Sequence, residues 1–122
     1  MNSSDLENKL IAFSVLILAI VVKLSGTKAG SHVGGQLVRS GTSVSLHYGE
    51  ARSAESKKDL IHKLSVVLKE LRETQICLKL IYMAKLHENE TKIQIAIKEN
   101  DELISILVKS IATAKKPKFS DH

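Results

Sequence analysis

The sequence predicts an all-α fold, an antiparallel up-down four-helix bundle. Three observations carry that expectation. Aliphatic residues dominate, with no tryptophan, two tyrosines and two phenylalanines in 122 residues, which suits a core of interdigitating Leu, Ile and Val between helices. The single proline, Pro117, falls near the C-terminal end, so nothing obliges the preceding helices to break. Apolar residues recur at alternating steps of four and three through the second half of the chain, the signature of a helix seam. A chain of this length builds one core, so residues 1–122 read as a single domain.

The first helix is expected over about 4–25, with Ser3 or Ser4 as N-cap and Glu7 in capping-box position to Ser4. Its run from Leu10 to Val22, apolar except for Ser14, is closed by Lys9 and Lys23. That is shorter than the roughly 20 residues a spanning helix needs. Asp5 and Glu7 make its leading segment acidic where a signal peptide is basic. The expectation is a helix buried on more than one face. Gly26-Thr-Lys-Ala-Gly30-Ser31 reads as a loop. The second helix, about 31–52, contains Gly34, Gly35, Gly41 and Gly49, each costing about 1 kcal/mol of helix propensity relative to Ala; glycines tolerated there mark close backbone approach.

The third helix, about 54–86, is the strongest. Leu60, Leu64, Val67, Leu71, Thr74, Leu78 and Ile81 form a heptad seam, and Asp59 with Lys63, and Lys69 with Glu73, are expected to pair one turn apart. His87-Glu-Asn89 forms the turn into the fourth helix, about 90–114. Its expected seam is Ile93, Ile97, Asn100, Ile104, Leu107 and Ile111, with Asn100 either fixing register inside it or facing outward. A basic tail, 115–122, opens with Lys115-Lys-Pro-Lys118. Helix one is apolar nearly all round, and Ile95 and Ile106 lie off the fourth seam; leftover apolar surface of this kind makes Ile95 and Ile106 expected subunit contacts.

No stretch carries recognisable catalytic chemistry. Arg39-Ser-Gly-Thr-Ser43 could offer backbone N–H groups to an anion, but it lacks the P-loop pattern. The expectation is a kinked, close-packed helix whose hydroxyls bond back to carbonyls. Asp59-Leu-Ile-His62 has the carboxylate–histidine spacing of di-iron bundles, and His47-Tyr-Gly-Glu50 has it reversed. Those sites need the motif twice plus two further glutamates, so no metal site and no cofactor is expected. Cys77, the only cysteine, reads as a buried core residue without a positioned base, and a lone cysteine fits a reducing, cytoplasmic setting.

The formal net charge is +5, which serves either solubility or an acidic partner. The candidate polyanion-binding residues are Arg39, Arg52, Lys57, Lys58, Arg72, Lys79, Lys115 and Lys116, with Lys85 and Lys118 beside them. A phosphate-directed surface needs only such a stripe, and the scarcity of aromatics argues against base stacking on single strands. Glu50 and Arg52, where helix two hands over to helix three, are candidate inter-subunit or partner contacts.

Arg39-Ser-Gly-Thr-Ser43, Gly49-Glu-Ala-Arg52, Ala54-Glu-Ser56, Asp59, Lys63-Leu64, Leu68-Lys-Glu70 and Glu73-Thr74, in this order and spacing, resemble the four-helix bundle proteins of intervening sequences in bacterial 23S rRNA genes. The accessory variability determinant of diversity-generating retroelements is a related member. The resemblance is close over helices two and three and outlined over one and four. It implies a homopentamer without catalytic residues, and for the retroelement relative a basic surface that binds RNA and a reverse transcriptase. The chain departs from the family at His47-Tyr48-Gly49, where Asn-Ile-Ala is common, and at Cys77, where an aromatic is common. The resulting expectation is a non-catalytic, oligomeric nucleic-acid-binding accessory protein. The alternative is a structural protein–protein interaction module without nucleic-acid affinity.

Overall fold

A computed structural model describes residues 1–117. Among them are four helices: α1 (Ser3–Val21), α2 (Lys28–Arg52), α3 (Lys57–Met83) and α4 (Glu90–Lys115). They form a helical bundle in which each helix packs on the next in the chain and α1 packs lightly on α4. Residues 118–122 of the expected tail, Lys118 included, lie outside the described residues.

Several boundaries differ from the sequence-based expectation. Asn2, not Ser3 or Ser4, caps α1: its side chain accepts from the Asp5 N–H at 2.8 Å and Asp5 returns the bond to the Asn2 N–H, a complete capping box. The same helix stops at Val21 instead of Ser25. α2 begins at Lys28, three residues before expected, because Thr27 accepts from the Gly30 N–H. α3 begins at Lys57 behind the Ser56 cap, and it ends at Met83 because Lys85 adopts a left-handed φ of 56°, the conformation that terminates helices. Asn89 caps α4.

The α3 seam is as expected from Leu64 to Ile81, with Leu60 half-buried at its start. The α4 seam is corrected to Ile93, Ala96, Asn100, Leu103 and Leu107, with Ile97, Ile104 and Ile111 flanking it partly buried. Asn100 is fully buried inside this seam and donates to Leu71 O at 2.8 Å and Gln75 Oε1 at 3.0 Å. Helix α1 is also corrected. It buries one face, through Leu6, Leu10, Phe13, Ser14, Ile17 and Ile20, and exposes Ile11, Val15, Leu18 and Val22 on another. No helix among the described residues is long and apolar enough to cross a membrane.

Small residues let α1 and α2 approach. A Cβ built on Gly41 would meet Ile17 Cγ2 at 2.7 Å, and Ser14 Oγ donates to Gly41 O at 2.7 Å and lies 2.6 Å from Ser45 Oγ. Between α2 and α3 the buried Thr74 hydroxyl meets Ser40 Oγ at 2.8 Å. At one end of the bundle the two loops are joined: Ser25 N–H donates to Leu86 O at 2.9 Å and Leu24 bridges His87. The opposite end gathers the start of α1, the α2–α3 connection and the end of α4 around shared clefts.

Candidate nucleic-acid interface

Residues 39–43 lie inside the continuous α2 helix, where the backbone N–H groups are used by the helix itself. The Thr42 and Ser43 hydroxyls bond back to Val38 O at 2.6 Å and Arg39 O at 2.5 Å. The segment is therefore a packing feature without free amides for an anion. Arg39 leans onto α3, where it pairs with Glu70 at 3.1 Å and with Glu73. Glu70 is only 8% exposed, so Arg39 supplies the partner that a buried carboxylate needs.

The expected pairs within α3 do not form. Lys63 turns from Asp59 to Glu50 of α2, at 3.0 Å, and Glu73 turns from Lys69 to Arg39. The Lys63 hydrogen bond and charge hold the Glu50 carboxyl below its ordinary range, and Glu50 raises Lys63 in return. His47 Nδ1 lies 3.7 Å from the same carboxylate. Arg52 pairs with Glu7 of α1 at 2.8 Å. Glu50 and Arg52, the expected partner contacts, thus tie helices within one chain.

Asp59 serves the start of α3, where its N–H donates to Ser56 Oγ and its carboxylate accepts from the Glu55 N–H. His62 is exposed, and no group of three metal-binding side chains occurs among the described residues. Cys77 is buried, and burial pushes its thiol up from the ordinary value, against the opposing pull of the Arg39 charge. That is the reverse of an activated nucleophile.

The structure does bring Lys57, Lys58, Lys115 and Lys116 to one end of the bundle. Lys57 Nζ donates to Lys116 O at 2.8 Å, fixing the end of α4 against the start of α3. An open cleft of about 560 Å³ there is lined by Arg52, Lys57 and Lys116 among others. An adjoining cleft of about 430 Å³ has the apolar floor Leu6, Leu60 and Leu64, with Lys109 and Arg52 at its rim. None of Lys57, Lys58, Lys109, Lys115 or Lys116 has a carboxylate within 4.0 Å among the described residues, although Glu7, Glu55 and Asp59 also belong to this end.

Arg72 and Lys79 stand apart from this cluster, exposed on the flank of α3. Ile95 is 54% exposed on α4, whereas Ile106 packs partly against the core. Lys109, in the last turns of α4 and lining the adjoining cleft, is a cation of this end that the sequence reading left out.

The model of the 23S rRNA-intervening sequence protein family matches residues 5–109. The chain is also similar to a crystal structure of a protein of unknown function from the S23 ribosomal protein family of Bacteroides thetaiotaomicron. The two are 28% identical with a TM-score of 0.83, and the match covers 92% of this chain and 99% of that one. No curated protein matches the chain.

Proposed function

The chain belongs to the 23S rRNA-intervening sequence protein family, and from that premise we propose that it is a non-catalytic RNA-binding accessory protein of the cytoplasm. The observation that carries this reading is the cluster of Lys57, Lys58, Lys115 and Lys116 at one end of the bundle, free of carboxylate partners among the described residues. Cations already paired within the fold, such as Arg39 and Arg52, offer less to a phosphate than unpaired ones. Lys57 and Lys58 open α3 and Lys115 closes α4 beside Lys116, and phosphate contact needs no aromatic platform. Recognition of this kind follows the charge and shape of the RNA backbone more than its sequence.

The protein acts as a homo-oligomer in this reading, five-fold as the resemblance implies, so that the basic ends of several copies act together. A reverse transcriptase is the protein partner the retroelement resemblance adds. Fluorescence anisotropy with a structured RNA at low ionic strength tests the reading. The wild-type chain should bind, and Lys58→Glu with Lys115→Glu should weaken binding by tenfold or more. Absence of binding by folded wild-type protein would favour the purely structural interaction module.

A further inference from the structure

The cleft of about 430 Å³ beside the four lysines combines three features. Its floor is aliphatic, built from Leu6, Leu60 and Leu64, and no carboxylate lines it among the described residues. Arg52 and Lys109 stand at its rim, and Lys109 has no carboxylate within 4.0 Å among the described residues. Tyr48, in the last turns of α2, also lines the cleft. This side chain is only 6% exposed, yet its hydroxyl has no hydrogen-bond partner among the described residues and is not sealed inside the core. A buried phenol ordinarily finds a partner, so one left open to a cleft calls for a partner from outside the fold.

We infer that the cleft takes up the base of an unpaired nucleotide of the RNA, while the surrounding lysines hold the neighbouring phosphates. The inference rests on the RNA-binding reading above and adds which part of the RNA enters the protein. A nucleotide meets all three features. Its base brings flat apolar faces to the leucines and a polar edge to the Tyr48 hydroxyl, and its phosphate meets Lys109. A free small anion would gain only from the rim, whereas an RNA chain also reaches Lys57 and Lys116 in the cleft next door, which shares Arg52 and Leu60 with this one. A phenol hydroxyl both donates and accepts, so it serves the edge of any base and imposes little sequence preference. A base inside a continuous duplex is paired and stacked, so uptake selects bulges, loops and ends.

Fluorescence anisotropy with three hairpin RNAs at one salt concentration tests this: an unbroken stem, the same stem with one bulged nucleotide, and that bulge lacking its base. The wild-type chain should bind the base-bearing bulge about fivefold or more tighter than the abasic one. Tyr48→Phe keeps the ring and removes only the hydroxyl. It should bring those two affinities within about twofold of each other and leave binding of the unbroken stem as it was, with circular dichroism reporting its fold. Equal wild-type affinity for the base-bearing and abasic bulges overturns the inference while the RNA-binding reading stands. A preference that Tyr48→Phe leaves intact does the same. Should that variant fail to fold, the abasic comparison in the wild type still decides. Failure of the folded wild-type chain to bind any of the three RNAs overturns both.

Discussion

At the scale of single residues, Gly41, His87 and Cys77 show how local chemistry follows from burial. Gly41→Ala would put a methyl against the branched, fully buried Ile17 side chain, which cannot swing away. Overpacking of this sort costs about 1–3 kcal/mol and outweighs the gain of about 1 kcal/mol in helix propensity, so urea denaturation should report net destabilisation. His87 is buried at the α3–α4 turn, where its Nδ1 accepts from the Asn89 N–H at 3.0 Å and its Nε2 has no partner among the described residues. Burial, then the Lys92 charge, lowers its pKa from 6.5, opposed by Glu88. A histidine depressed in the folded state contributes stability above its unfolded value and loses it as pH falls from about 6.5 through the folded value. The melting temperature should therefore decline from pH 7 toward pH 5, and His87→Gln should flatten that decline. The glycines pointed to close approach in the sequence alone, but which side chain each one meets depends on tertiary packing.

At the scale of helices, buried polar links specify how the bundle is put together. Asn100 sits in the α4 seam and is held by Leu71 O and Gln75 Oε1, while Gln75 Nε2 donates back to Ile97 O at 3.2 Å. Asn100→Ala removes the donor and leaves Gln75 Oε1 unsatisfied, a loss of about 1–3 kcal/mol that chemical denaturation would measure. The α3 seam was legible because its heptad has one apolar solution. On α4 two adjacent rows are apolar, and counting large residues favoured Ile97 and Ile104 over the smaller Ala96 and over Leu103. Ion pairs were misread for a related reason. One-turn spacing sees only partners on the same helix, whereas Lys63 and Glu73 find theirs on α2. The cap of α1 was misplaced because Asn2 and Asp5, just upstream of the Ser4–Glu7 pair, form the capping box.

At the scale of the whole molecule, the two ends of the bundle differ in their chemistry. One end joins its loops through Ser25, Leu86 and His87, and the other gathers Lys57, Lys58, Lys115 and Lys116. Sequence could name the lysines but not their convergence, since Lys57 and Lys116 are 59 positions apart and meet only because the helices run up and down. If this basic end binds RNA through phosphates, affinity must follow counterion release. The decisive measurement is the dependence of RNA affinity on salt concentration, for the wild-type chain and for a variant with Lys57, Lys58, Lys115 and Lys116 changed to Gln. About four neutralised phosphates per engaged copy predict a log–log slope of about −3 to −4 or steeper for the wild type, falling toward zero in the variant. A wild-type affinity indifferent to salt, or a slope the four substitutions leave unchanged, would contradict the account.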